Sequence, residues 1–165
     1  MNFRQRIAAS LLVVALALAL GACRNSGPLK IGAMAPDFTV NDGQKTVQLS
    51  QLRGKPVLLN FWATWCPPCV QEVPDLVALQ QQMGGKITVL AVSMDVDEGA
   101  YKAFTQKRMP GILTVRDADH KSSNLFGTFA YPESFLIDKD GKIQRKFIGA
   151  VEWTSPEMIE YFKKL

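Results

Sequence analysis

Hydrophobic and polar positions change their period several times along the chain, and each change marks a predicted element. From Ile7 to Ala22 no residue is charged, and the run Leu11 to Leu20 is almost wholly apolar. Phe38-Thr39-Val40 and Val47-Gln48-Leu49 then alternate loosely around Asn41-Asp42-Gly43, which predicts a β-hairpin. Pro56 to Ala63 is a near-continuous apolar run of the kind buried on both faces of a parallel sheet, so it predicts a central strand. From Pro67 to Met83, Val70, Val73, Leu76, Val77 and Leu79 recur at helical spacing, and Gly84-Gly85 ends the pattern. Lys86 to Met94 reads as a second buried strand. Asp97 to Arg108 reads as a helix whose Asp97 and Glu98 suit its positive N-terminus. That β-α-β-α order implies a parallel core. Thr114-Val115 is a short strand and Ser122 to Phe126 a short helix. Glu133 to Ile137 and Ile143 to Ile148, joined through Asp138-Lys139-Asp140-Gly141, predict an antiparallel hairpin. Ser155 to Leu165 closes with an amphipathic helix, Ser155 as N-cap and Pro156 at its first position.

The chain has 165 residues, 47% of them hydrophobic and 21% charged, enough apolar material for one compact domain and too much for wholesale disorder. The net charge of +4 falls to +2 once the first 22 residues, with Arg4 and Arg6, are set aside. So weak and scattered a balance excludes nucleic acid as a partner. Three cysteines are too few for a disulfide-dense scaffold, and an odd number cannot all pair internally.

Cys23 is explained by its position. Arg4 and Arg6, the apolar run and the small residues Gly21-Ala22 form an export signal. Its uncharged stretch of 16 residues falls short of the roughly 20 that a membrane-spanning helix needs. Leu20-Gly21-Ala22-Cys23 looks like a bacterial lipobox, in which cleavage leaves a lipid-bearing cysteine at the mature N-terminus. Residues 1–22 are then the signal peptide, 23–30 the lipidated cysteine and a polar tether, and 31–165 the domain. A secreted protein with an incidental Cys23 and an uncleaved anchor are the other readings.

The chemistry lies at Trp65-Cys66-Pro67-Pro68-Cys69, where a buried strand gives way to a helix. A thiol at a helix N-terminus faces unpaired N–H groups and the positive end of the dipole, both of which favour thiolate, so Cys66 is the expected nucleophile. Cys69 follows at i+3 on the same face, placed to close a disulfide and release a mixed-disulfide partner. Prolines suit the first turn, where an N–H would find no helical acceptor. A zinc site needs four ligands, and His120 is the only further soft one in the domain, so no metal and no cofactor is expected. A structural disulfide across so short a loop would constrain the unfolded chain little.

Phe61-Trp62-Ala63-Thr64-Trp65-Cys66-Pro67-Pro68-Cys69, the helical Pro74 and Tyr131-Pro132-Glu133-Ser134-Phe135-Leu136-Ile137-Asp138 together resemble the thioredoxin superfamily. Within it the chain is similar to the membrane-tethered TlpA/ResA/CcmG branch of thiol-disulfide oxidoreductases, from about Ile31 to the C-terminus. The resemblance implies an α/β, thioredoxin-like fold: a central mixed β-sheet flanked by helices, with an N-terminal β-hairpin extension and an insertion typical of the TlpA/ResA branch. It makes Cys66 the attacking thiol, Cys69 the resolving thiol and Pro132 a cis-proline against the dithiol, with Trp65, Pro67, Pro68, Tyr131 and Glu133 around the substrate groove. Cytosolic thioredoxins carry a buried Asp and a Lys where this chain has Asn60 and Ala91. Glu72 lies three residues after Cys69 on the same helical face, where the TlpA/ResA branch has a Glu, so the resemblance makes it the candidate to shuttle the Cys69 proton; a solvated helix-face Glu is the other reading of it. Glu133 resembles the CcmG pattern and could orient a partner, or be a surface strand residue.

The implied activity is disulfide exchange with exported proteins in the cell envelope, in the reducing direction, with a membrane donor of the DsbD or CcdA type resetting the dithiol and an apocytochrome c as one candidate substrate. Two other classes compete. The stretch Ala35-Pro36-Asp37-Phe38 also looks like redoxins and peroxiredoxins, but these place a Thr three residues before the peroxidatic Cys, where this chain has Ala63. Sco-type copper chaperones use Cys-x-x-x-Cys, one residue longer. His120, in a charged turn, is expected to be solvated, and Asp95, Asp97 and Glu98 to serve helix capping. Trp62 and Trp65 are expected beside the site and Trp153 near the last helix.

Overall fold

The computed structural model describes residues 29–165; the predicted signal, the lipobox with Cys23 and most of the predicted tether lie outside the described residues. Strands β1 (Thr39–Asn41) and β2 (Thr46–Gln48) form an antiparallel hairpin. Then follow β3 (Val57–Trp62), α1 (Pro67–Gln82), β4 (Thr88–Ser93), α2 (Glu98–Arg108), β5 (Leu113–Arg116), α3 (Lys121–Leu125), β6 (Glu133–Ile137), β7 (Ile143–Ile148) and α4 (Pro156–Lys163). The main sheet has the order β5-β4-β3-β6-β7. Its β3, β4 and β5 are parallel, and β6 and β7 are antiparallel to their neighbours, so the sheet is mixed.

Every residue of β3 is buried, as a central strand with both faces covered requires. Side chains alternate between the two faces. Phe61 packs on Phe126 and Phe135 on one side, and Phe38 closes on Phe126. On the other side Asn60 meets α1 and Trp62 meets Phe104 of α2. The segment from α2 through α3 interrupts an otherwise β-α-β plus β-β-α frame and adds β5 as a parallel edge strand. Among the described residues no helix is long and apolar enough to cross a membrane.

The predicted elements are present, with the sheet hairpin β6–β7 at the bounds expected. Asp138 Oδ1 accepts from the backbone N–H of Asp140 and Lys142 and closes that turn. Asp97 caps α2 by accepting from Ala100 N–H at 3.1 Å. Ser155 occupies the N-cap of α4 but makes no side-chain cap bond, so Pro156 starts that helix without its help. Gly84 and Gly85, both at positive φ, end α1 as glycine permits.

Candidate active site

The dithiol stands where β3 ends. After Trp62 the chain turns through Ala63 to Trp65, a turn closed by the Cys66 N–H donating to Ala63 O at 3.3 Å. Cys66 is the N-cap of α1, in extended conformation, and Pro67 and Pro68 fill the first turn without wasting a donor. Cys66 and Cys69 are joined by a disulfide, and the Cys69 N–H points at Cys66 Sγ, 3.3 Å away. This is the orientation in which a helix N-terminus would stabilise sulfur charge after reduction. Both residues are buried, Cys66 at 5% exposed and Cys69 at 1%, so the N-cap residue is the slightly more accessible of the two.

Pro132 is buried and the Tyr131–Pro132 peptide is cis. The Tyr131 ring meets Trp65 edge-on, with centroids 6.0 Å apart, and Trp65 is more than half exposed. Pro67 and Pro68 are exposed as well. Trp65, Pro67, Pro68 and Tyr131 are thus available at the surface around the dithiol. Trp62 is not: its ring is buried against Phe104.

Glu72 is 3% exposed, which removes the solvated helix-face reading. Its Oε1 accepts from Trp153 Nε1 at 2.6 Å and Val151 N–H at 3.0 Å, and its Oε2 accepts from Asn60 Nδ2 at 3.2 Å. Burial outweighs these donors and pushes its carboxyl up to about 7. Trp153, beyond serving the core near α4, is therefore a ligand of this carboxylate. The Asn60 amide also donates to Ser134 Oγ at 2.9 Å, and in the sheet Asn60 stands directly between Ala91 and Ser134. A row that could hold an Asp–Lys pair is thus filled by an amide, a methyl group and a hydroxyl, leaving Glu72 as the carboxylate behind the dithiol helix.

Three expectations are corrected. Glu133 is neither a surface residue nor a groove-lining one: it is fully buried, with Lys146 Nζ 2.6 Å from its Oε1, because the 127–131 segment and β7 cover it. His120 is half-buried at positive φ, its Nε2 3.1 Å from Met94 O, so it is not a freely solvated turn residue. Asp95 caps no helix. It is 2% exposed and accepts from Thr64 and Ser93, so it ties the end of β4 to the turn before the dithiol. Its partners lie 31 residues away in one case, and no local spacing could have announced them.

A protein-family model described as the AhpC/TSA family matches residues 31–146. The thiol-disulfide oxidoreductase ResA of Bacillus thuringiensis is 37% identical over 139 residues, which cover 83% of this chain and 79% of that protein. Among solved structures, a protein from Chlorobium tepidum assigned as the thiol:disulfide interchange protein DsbE is similar with a TM-score of 0.71 and 31% identity, over 82% of this chain and 94% of that one. The exposed lipoprotein thioredoxin of Streptococcus pneumoniae is similar with a TM-score of 0.67 and 28% identity, over 79% of this chain and 100% of that one.

Proposed function

The chain belongs to the AhpC/TSA family and is a thiol-disulfide oxidoreductase, and from that premise we propose that it reduces disulfides of exported proteins while tethered to a membrane by a lipid on Cys23. The observation that carries the reading is the Cys66–Cys69 disulfide at the N-terminus of α1, with the buried Glu72 one turn behind it. The likeness to an exposed lipoprotein thioredoxin and the lipobox sequence support the tether.

In the reduced protein the Cys66 thiolate attacks one sulfur of the target disulfide. A mixed disulfide forms and the other target sulfur leaves as thiolate, taking a proton from water. Cys69 then gives up its proton and attacks Cys66 Sγ; the target's second sulfur leaves, and two electrons have passed from the dithiol to the target. Glu72, i+3 from Cys69 on α1, is the group to receive the Cys69 proton when ionised. In the resetting half-cycle a donor thiolate attacks Cys66, and neutral Glu72 returns a proton to the departing Cys69 thiolate. A carboxyl near 7 serves both directions at neutral pH. The donor is a membrane dithiol protein of the DsbD or CcdA type, since an oxidising compartment supplies no reductant of its own. The Cys-x-x-Cys-His site of an apocytochrome c is one target that such a protein would serve.

Disulfide exchange fits the site better than peroxide chemistry. Ala63 stands three residues before Cys66 and is fully buried, and the Thr64 hydroxyl is already committed to Asp95, so no free hydroxyl is offered to a peroxide at that point.

Trapping tests the assignment of the two thiols. Cys69→Ala accumulates mixed disulfides with envelope proteins through Cys66, and Cys66→Ala accumulates none, as read on non-reducing gels after acid quenching. Equal trapping by both variants contradicts the assignment, and failure of the wild type to reduce insulin with dithiothreitol as donor contradicts the reductase reading itself.

A further inference from the structure

The exchange cycle makes no use of one buried carboxylate that reaches the dithiol turn. Asp95 follows β4 and is 2% exposed. Its Oδ1 and Oδ2 accept from the Thr64 backbone N–H at 3.2 and 3.1 Å, its Oδ1 from the Thr64 hydroxyl at 2.6 Å, and its Oδ2 from the Ser93 hydroxyl at 2.6 Å. Ser93 Oγ in turn accepts from the Asp95 N–H at 3.0 Å. Every donor is neutral, and no ion pair involves Asp95 among the described residues.

Such an arrangement has two consequences. The first is geometric. Thr64 lies in the turn Ala63 to Trp65, which leaves β3 and delivers Cys66 to the N-cap; the Met94 N–H to Trp62 O bond at 2.8 Å and the Asp95–Thr64 bonds are what fasten this turn to β4. The second is electrostatic. Thr64 is two residues from Cys66, so chain geometry alone keeps the carboxylate within roughly 10 Å of the Cys66 backbone. Both Asp95 and Cys66 are nearly shut off from water, where a charge acts over that distance with little screening.

We propose that Asp95 is a positioning residue of the dithiol: it fixes the Ala63–Trp65 turn and, by holding a negative charge behind it, opposes charge on Cys66 and keeps the pair reducing. This rests on Cys66 being the attacking thiol. The helix N-terminus favours thiolate and Asp95 disfavours it, so the dithiol is held between an attracting and a repelling field. A dithiol whose thiolate is less stabilised is a stronger reductant. The other titratable groups near this end of the sheet are Tyr101 of α2, Arg116 paired with Ser93 on β5, Asp117, whose N–H donates to Ser93 O, Glu72 behind α1, Glu133 paired with Lys146, and His120 against Met94 O, and all remain in place when Asp95 alone is changed.

Asp95→Asn is nearly isosteric and keeps an acceptor for Thr64 while removing the charge. In the full reduced chain, the pH profile of iodoacetamide alkylation at Cys66 should move to lower pH by at least about half a unit, so that below the midpoint the thiolate fraction rises about threefold. Equilibration with glutathione redox buffers should leave a larger fraction of the variant reduced than of the wild type. Thr64→Ser, which keeps the hydroxyl donor, should reproduce the wild-type profile. Thr64→Val removes that donor, leaves the carboxylate less compensated, and should move the profile to higher pH. A folded Asp95→Asn with superimposable alkylation and glutathione curves overturns the proposal, whatever happens to its melting temperature. If Asp95→Asn does not fold, an unchanged profile in Thr64→Val overturns it instead. Either result leaves the insulin assay of the wild type, and hence the reductase reading, standing by itself.

Discussion

At the scale of single residues, Glu72 shows how burial moves an ordinary carboxyl into the neutral range that the proposed proton carrier needs. Three donors face it, yet withdrawal from water dominates and its carboxyl rises from 4.5 to about 7. Because the folded value exceeds the unfolded one, the oxidised protein holds this part of its stability below about pH 4.5 and loses it as pH rises through 7, where the charged form must be buried. The whole span corresponds to about 3 kcal/mol. Glu72→Gln carries no such penalty. Between pH 5 and 8 the wild type should therefore lose stability relative to the variant in urea unfolding, and parallel pH dependences would show that Glu72 does not titrate in this range. In the reduced protein the same substitution removes a negative charge near the thiols, so alkylation should shift to lower pH while resolution at Cys69 slows. Position i+3 from Cys69, together with the resemblance to a branch that has a Glu there, singled out Glu72 from the sequence. Its ligands Val151 and Trp153 are 79 and 81 residues away, and only the fold brings them in.

Among elements, those best read from the sequence are those whose determinants are local. Strands β6 and β7 emerge at their expected bounds because Asp138-Lys139-Asp140-Gly141 fixes the turn between them: Asp138 satisfies its backbone donors and Gly141 takes φ +91. A Cβ at Gly141 would meet Arg53 Nε at 2.8 Å and would sit in a backbone region that L-residues avoid. Gly141→Ala should therefore cost about 1–2 kcal/mol and lower the melting temperature by about 3–6 °C. Lying at the far end of the sheet from Cys66, it should leave insulin reduction unchanged, and a variant that melts like wild type would mean the turn repacks without strain. Where determinants are distant, the local reading fails in a definite way. Asp95 sits in an acidic run that looks like helix capping, but only Asp97 caps, and Asp95 is claimed by Thr64 across the sheet. Glu133 looks like a strand residue facing water until β7 brings Lys146 over it.

For the whole molecule, the direction of the sheet relates the start of the domain to the dithiol. Gly32 N–H donates to Ile143 O and Ile143 N–H to Ala33 O, so the chain joins the sheet at the first residue of β7. Ile143 pairs with Ile137, and Ile137 with Val57 at the beginning of β3, whereas Cys66 follows Trp62 at the end of β3. The chain therefore arrives at one end of the sheet and the dithiol opens at the other, six strand residues or roughly 17 Å away. From Cys23 to Leu29 the chain can span at most roughly 20 Å. A lipid on Cys23 would thus hold the near end of the domain close to the membrane and turn the dithiol outward, toward soluble partners. Cys23→Ala should abolish fatty-acid labelling and shift the protein from the membrane to the soluble fraction, or leave it unprocessed. The domain's own activity should be unaffected: because the tether joins far from Cys66, the released protein should reduce insulin at the wild-type rate while losing reduction by the proposed membrane donor in intact cells. Wild-type protein that takes up no fatty-acid label, or a Cys23→Ala variant that is processed and still sediments fully with membranes, would rule out the lipid as the anchor and with it this orientation of the dithiol.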